Sequence, residues 1–254
     1  MFYPVYENSS VNYDGCTVIV PSISIGNVPQ LAVDLLVSSL KPALIGYIHH
    51  ENLIPVVGAN AYDEKSREIS TSCEVYYLKN YKIVLLQVRG AVVPGCEKKF
   101  CQDLTDWIKS INAKKVAVLM SISAEIRRDK DLSGCQIRYA LPSALKAELE
   151  NKLIGHGLSE YDGPGKNESP SSRDVDKRMY VPSGGFGQHL YDIGNRMGVP
   201  NLGMMMFAYE GDNESEAFTL AEAVANLCDL KVQGWKKPVS WALLYGSGPP
   251  PEIY

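Results

Sequence analysis

Residues 17–48 read TVIVPSISIGNVPQLAVDLLVSSLKPALIGYI, and this stretch decides the fold. It begins with a short β-branched run at 17–20, ended by a proline, which is typical of a buried strand. Apolar residues then recur at spacings of three and four over 28–40, which predicts a helix with Asn27 as its N-cap. Residues 43–48 form a second apolar run. The stretch therefore predicts a β–α–β unit with a right-handed crossover.

Farther along the chain the apolar period changes from helical to alternating. Residues 69–77 alternate between apolar and polar side chains, and a short turn leads into the apolar run 83–88. Two strands so close in sequence pair as an antiparallel hairpin, so the sheet is predicted to be mixed. The same patterns predict further helices near 98–110, 143–153, 187–197 and 214–230, and further strands near 116–120 and 202–209. The predicted fold is α/β: one domain with a mixed central sheet and flanking helices.

Three segments are predicted to lie outside the core. Residues 122–138 carry mixed charges and suggest an exposed loop. Residues 155–177 are rich in Gly, Pro, Ser, Asn and Asp, which predicts a mobile surface insertion. The domain is therefore expected to span residues 1–246, with a C-terminal tail at 247–254.

Composition narrows the class of protein. The chain has 254 residues, 45% of them hydrophobic and 21% charged, with a net charge of −4. Its basic residues are scattered, so no nucleic-acid partner is expected. Neither a stretch of about 18 apolar residues nor an export signal is visible, so no membrane association is expected. The six cysteines are then expected to be reduced thiols, and the expected compartment is cytoplasm or nucleus.

Motifs for catalysis and metal binding are scarce. The four histidines and the cysteines show no zinc-ligand spacing, and no nucleophile motif is present. We therefore predict no catalytic, metal-binding or cofactor-binding residues. One motif leaves an alternative open: Ser183-Gly-Gly-Phe-Gly-Gln opens a helix, where free N–H groups attract phosphate. The motif lacks the Lys-Ser/Thr of a P-loop, so tight turning of the backbone is the favoured interpretation.

The C-terminal residues 241–254 read WALLYGSGPPPEIY. They pass from an apolar, strand-like run through a glycine hinge into a polyproline segment, which projects a chain end rather than letting it collapse. Capture of the terminal carboxylate in a partner's pocket is a known mode of recognition. The predicted partner-binding residues are Pro249, Pro250, Pro251, Glu252, Ile253 and Tyr254.

Seven blocks together resemble the PAC2 family of proteasome assembly chaperones, in the same order along nearly the whole chain. They are VIVPSISIGNVPQLAVDLL (18–36), IGY (45–47), PVVGANAY (55–62), EVY (74–76), GG with LYD (184–192), EGDN (210–213) and WALLYGSGPP (241–250).

The resemblance implies a non-enzymatic chaperone that promotes assembly of the proteasome core particle. Such a protein forms a heterodimer with proteasome assembly chaperone 1 and binds the ring of proteasome α subunits. Relatives often end in hydrophobic–tyrosine–any residue, whereas Tyr254 is itself the last residue here. Proteins of this family also look like the nucleoside phosphorylase type of α/β fold. An enzyme of that type, with phosphate held at Ser183-Gly-Gly, is the alternative.

Overall fold

The computed structural model describes residues 1–5, 12–163 and 180–243, and over these residues the chain forms eleven strands and five α-helices. The strands are β1 (Phe2–Pro4), β2 (Thr17–Pro21), β3 (Ala43–Ile48), β4 (Val57–Ala59), β5 (Ile69–Thr71), β6 (Cys73–Leu78), β7 (Ile83–Val88), β8 (Lys115–Ser123), β9 (Ile137–Ala140), β10 (Ser159–Glu160) and β11 (Asn201–Ala208). The helices are α1 (Val28–Leu40), α2 (Glu97–Ser110), α3 (Ser143–Gly155), α4 (Gly187–Arg196) and α5 (Glu214–Leu227).

Nine strands form one central sheet in the order β1-β3-β6-β7-β2-β8-β11-β9-β10, while β4 and β5 form a separate two-stranded sheet. The middle strands β7, β2, β8 and β11 run parallel to one another. Strand β6 runs antiparallel to both β7 and β3, and β9 runs antiparallel to β11. The predicted mixed sheet and the predicted hairpin are therefore confirmed, except that the predicted strand 69–77 is divided: only β6 pairs with β7, whereas β5 pairs with β4.

The opening β–α–β unit has the predicted elements, since β2, α1 and β3 occupy the expected residues. Strands β6 and β7 lie between β2 and β3, so the two strands connected by α1 are parallel without being neighbours. The predicted side-chain cap is wrong: Asn27 is left-handed, with φ 53°, and its side chain makes no cap hydrogen bond. The preceding Gly26 is also left-handed, so a backbone turn brings the chain into the helix.

Helices cover both faces of the sheet, so the core has two apolar layers. Successive residues of β2 point to opposite faces, with Ile19 in one layer and Val18 and Val20 in the other. Helices α1, α3 and α5 pack on the face of Ile19, and α2 and α4 pack on the opposite face. The middle strands are buried on both sides, which explains their nearly continuous apolar runs.

The predicted exposed loop at 122–138 is wrong at both ends and at Asp131, whereas residues 125, 129–130 and 132–134 are exposed as predicted. This stretch contains the end of β8, two short 3₁₀ turns and the start of β9. Asp131 Oδ1 lies 2.9 Å from Arg138 Nη2, and both side chains are almost fully buried. Each charge compensates the other, so these two charged residues lie inside the fold, although the sequence suggests a solvent-exposed loop.

The predicted insertion starts later than expected. Helix α3 continues through Gly155, Leu158 is buried, and β10 pairs with β9. The helix end and β10 therefore tie residues 155–160 to the fold, although all of them except Leu158 are exposed as predicted. Residues 164–179 lie outside the described part of the chain, where the insertion stays a prediction.

Candidate functional site

The glycine-rich turn of the phosphate hypothesis lies against the carboxyl end of β2. Ser22 Oγ donates a hydrogen bond to the carbonyl of Gly184, at 2.8 Å, and accepts one from the N–H of Gly187, at 2.9 Å. Gly185 has φ +63°, and a Cβ built there would lie 1.9 Å from the carbonyl oxygen of Ile23. Only glycine fits at this position, so close backbone packing accounts for it without a ligand.

A cleft of about 370 Å³ opens beside this turn, next to the carboxyl ends of β2 and β7. Ligands of parallel α/β sheets commonly bind at this edge. No lysine or arginine is among the described residues that line the cleft, whereas Glu97 contributes a carboxylate. The first N–H of α4 is already taken by Ser22. An anion would therefore meet a negative charge and one donor fewer than a free helix terminus offers, although Ser183, Gln188 and His189 of the same lining carry groups that can donate hydrogen bonds.

A buried polar cluster lies between α1 and the end of β7. Asp34, whose side chain is 4% exposed, accepts hydrogen bonds from Tyr62 Oη (2.7 Å), Gln87 Nε2 (2.6 Å) and Arg89 Nη2 (2.7 Å). The guanidinium of Arg89 also lies 5.7 Å from the centre of the Tyr62 ring. These contacts join residues 62 and 89 to the first helix, although they are far apart in sequence.

Glu74 adds a second carboxylate to this cluster. It lies 3.8 Å from Arg89 Nε and accepts hydrogen bonds from Tyr76 Oη and the N–H of Thr71. Burial raises the pKa of Glu74, while the Arg89 charge works in the opposite direction. Burial and the neighbouring Asp34 charge raise the pKa of Tyr62 well above 10. Tyr62 therefore keeps its proton at neutral pH and can donate the hydrogen bond that it makes to Asp34.

Burial raises the pKa of four of the six thiols, those of Cys16, Cys73, Cys101 and Cys228, which makes these four poor nucleophiles at neutral pH. All six cysteines have free thiols, and Cys16, Cys73 and Cys101 are buried. Burial raises the pKa of Cys16 and of Cys228 to about 11, so both stay protonated at neutral pH. Within the described ranges, no group of three or more His, Cys, Asp and Glu side chains converges as metal ligands would.

The six predicted partner-binding residues, 249–254, lie outside the described part of the chain. Their role stays a prediction. Residues 241–243, the described part of the predicted strand-like run, instead belong to a 3₁₀ turn at Val239–Leu243. Trp241 is 6% exposed and packs edge-on against Phe218, so the segment before the tail is fixed to the core.

One exposed apolar surface was not predicted from the sequence. Residues 54–59 are all exposed, although every one of them is apolar or glycine. The run IPVVGA resembles a buried segment, and only its position in the fold reveals that it faces solvent.

The family model for PAC2 matches residues 18–233. The chain belongs to the PAC2 family. It is 35% identical to proteasome assembly chaperone 2 of Bos taurus, with 100% of both chains covered, and 35% identical to that of Danio rerio, with 96% of both covered. Its fold is also similar to the crystal structure of Pyrococcus furiosus PbaA, described as an archaeal homolog of proteasome-assembly chaperone. That match has a TM-score of 0.61 at 16% identity and covers 92% of this chain and 88% of the other.

The PAC2 family match runs from β2 to just beyond α5 and ends before the 3₁₀ turn at Val239–Leu243 and the tail. It includes the glycine-rich turn, the buried cluster around Asp34 and the exposed run 54–59. None of the helices that the structure describes is long and apolar enough to cross a membrane.

Proposed function

We propose that this PAC2-family chain is a chaperone that promotes assembly of the proteasome core particle. In this proposal it acts as a heterodimer with proteasome assembly chaperone 1 and binds the ring of α subunits. The observation that carries the proposal is the end-to-end match to proteins named proteasome assembly chaperone 2, at 35% identity over 100% of both chains. The compartments that go with this role are the cytoplasm and the nucleus.

The proposed role is not enzymatic, and the chemistry of the described residues supports that part. The thiols of Cys16 and Cys228 are protonated at neutral pH, and Tyr62 keeps its proton. The cleft beside the glycine-rich turn presents the carboxylate of Glu97 and, among its described lining, no lysine or arginine. A nucleoside phosphorylase-like activity would need a phosphate site, which this lining does not favour.

The tail at 247–254 is the proposed contact with the α ring. The free energy of its expected contacts limits the affinity that the tail can provide alone. Burying one large apolar side chain contributes roughly 1.5–3 kcal/mol. A charge-assisted hydrogen bond to the terminal carboxylate adds about 1.5–3 kcal/mol. A total of roughly 3–6 kcal/mol corresponds to a dissociation constant no tighter than tens of micromolar. The tail must therefore act together with a folded surface, through effective concentration.

Affinity purification of the tagged protein from cell extract, with partners identified by mass spectrometry, tests the proposal. We expect proteasome assembly chaperone 1 and α subunits to copurify, and core particles with completed catalytic rings to be largely absent. Recovery of neither partner would refute the proposal. Incubation of the purified protein with nucleosides and phosphate tests the alternative. Replacing Gly185 is not a clean test of activity, because a side chain there would collide with the backbone at Ile23.

A further inference from the structure

Several buried polar atoms around Asp34 and Glu74 make no hydrogen bond to another part of the protein. Among the described residues, six buried side-chain nitrogen and oxygen atoms have no hydrogen-bond partner, and four of the six belong to this one cluster: Gln30 Oε1, Thr71 Oγ1, Gln87 Oε1 and Arg89 Nε. Buried polar atoms are normally paired, because an unpaired one has given up its bonds to solvent without replacing them. Four such atoms in one cluster therefore indicate a bound molecule that pairs with them.

Three of these atoms belong to residues that adjoin the carboxylate of Glu74. Gln87 lies directly opposite Glu74 in the β6–β7 pair, so the two side chains are neighbours on one face of the sheet. Arg89 Nε lies 3.8 Å from Glu74 Oε2, which is longer than a hydrogen bond. The N–H of Thr71 donates to Glu74 Oε1 at 3.3 Å. The strand pairing and these two contacts place Thr71, Gln87 and Arg89 around one carboxylate.

The orientation of the Gln87 amide is fixed by its neighbours. Its Nε2 donates to Asp34 Oδ1 at 2.6 Å and to the carbonyl of Gln30 at 2.9 Å, so both of its N–H groups are in use. Exchanging the amide nitrogen and oxygen would place an oxygen against two acceptors. Gln87 is fully buried, so its Oε1 accepts a hydrogen bond only from something enclosed in the fold.

The donors and acceptors around Glu74 select the kind of molecule. Arg89 Nε can only donate, Gln87 Oε1 can only accept, and the hydroxyl of Thr71 can do either. A cation would leave Arg89 Nε unpaired and would lie beside its positive charge. An anion would leave Gln87 Oε1 unpaired and would lie beside the Glu74 carboxylate. A small molecule that both donates and accepts satisfies all three atoms, and water has two of each capacity.

We infer that an internal water is bound between β5 and β7, held by Arg89 Nε, Thr71 Oγ1 and Gln87 Oε1. The water accepts a hydrogen bond from the N–H of Arg89 and donates one to Gln87 Oε1. Its remaining capacity pairs with the Thr71 hydroxyl and with the carboxylate of Glu74. Because β5 belongs to the separate two-stranded sheet and β7 to the central one, this water connects the two sheets.

The substitution Thr71→Val tests the site by the sign of its effect on stability. Valine keeps the shape and β-branching of threonine and removes only the hydroxyl. If the hydroxyl bonds the water, the full-length variant should melt about 2–4 °C lower, the shift that corresponds to one ordinary hydrogen bond. If the hydroxyl is unpaired, valine removes a buried polar group that nothing compensates, and the melting temperature should stay the same or rise.

The matched control is Thr105→Val. The hydroxyl of Thr105 is buried and donates directly to the carbonyl of Cys101 at 2.7 Å, so this variant should melt lower in either case. A Thr71→Val variant that melts lower, as the control does, supports the inference. An unchanged or raised melting temperature of Thr71→Val, beside a lowered one for Thr105→Val, overturns it.

A crystal structure of the natural full-length chain, at a resolution that shows ordered waters, gives a direct answer that needs no variant. Density for a water within hydrogen-bond distance of Gln87 Oε1, and of Arg89 Nε or Thr71 Oγ1, supports the inference. Absence of that density, or a side chain bonded directly to Gln87 Oε1, overturns it. If Thr71→Val does not fold, the crystal structure decides.

Discussion

Replacing Asp34 by alanine removes the anion around which the buried polar cluster is built. Its side chain is 4% exposed and accepts hydrogen bonds from Tyr62, Gln87 and Arg89. Without it Arg89, whose side chain is 21% exposed, keeps its charge and loses its nearest counterion. Removing one partner of a buried ion pair costs about 3–5 kcal/mol. Because Glu74 remains 3.8 Å from Arg89 and water reaches part of the guanidinium, we expect the lower end, about 3 kcal/mol.

The free energy of unfolding is measured by urea denaturation, followed by circular dichroism at neutral pH. An unchanged slope with denaturant would indicate that the variant unfolds from a similar native state. For a domain of this size, a loss of about 3 kcal/mol lowers the melting temperature by about 6–12 °C. A thermal melt therefore gives an independent check on the urea result.

A surface ion pair provides the control. Glu150 lies 3.9 Å from Lys146 in α3, and their side chains are 38% and 47% exposed. Glu150→Ala is expected to change stability by no more than about 0.5 kcal/mol, because exposed pairs are solvated and screened. If Asp34→Ala proves as mild as Glu150→Ala, the argument that the cluster stabilises the fold is refuted.

Three further predictions follow from other parts of the chain. Deleting residues 252–254 should weaken binding to isolated α rings about 10- to 1000-fold while leaving the heterodimer intact. Adding one alanine after Tyr254 should tighten binding to the α ring. Unchanged affinity for the ring in both cases would mean that the tail makes no contact with it. Gly185→Ala should unfold at a clearly lower urea concentration, because its Cβ would lie 1.9 Å from the carbonyl oxygen of Ile23. Gly155→Ala is the control. It has open space around it and should leave stability unchanged or slightly higher. Burial works to raise the pKa of Asp131, but hydrogen bonds from Arg138 and Arg128 outweigh it and hold that pKa below its ordinary value. The resulting stabilisation is present above the unfolded pKa of about 3.9 and is lost as pH falls through the lower folded value. The difference in unfolding free energy between the natural chain and Asp131→Asn should therefore shrink on acidification. Urea unfolding at several pH values measures this difference. A difference that grows on acidification would contradict the lowered pKa of Asp131.

The elements whose signals are local could be predicted from the sequence. Residues 17–48 fold as the predicted strand, helix and strand, with the predicted bounds. The hairpin partner of residues 83–88 was also predicted, because two strands joined by a short turn pair with each other in antiparallel orientation. The family likewise followed from seven ordered blocks of sequence. The short strands β1, β4, β9 and β10 escaped prediction, since two to four residues are too few to establish a period.

Which polar residues are buried and which apolar residues are exposed could be seen only in the three-dimensional fold. Asp34 and Arg89 are 55 positions apart, yet they share a buried hydrogen bond. Asp131 and Arg138 lie in a charged stretch that looks like a surface loop, and both side chains are inside. The run 54–59 looks like core and is exposed. The reason is that burial of a charge depends on whether the fold brings an opposite charge to it, and exposure of a valine depends on what the fold leaves uncovered. Both are properties of the packed fold around a residue, which a local pattern of apolar and polar residues does not contain.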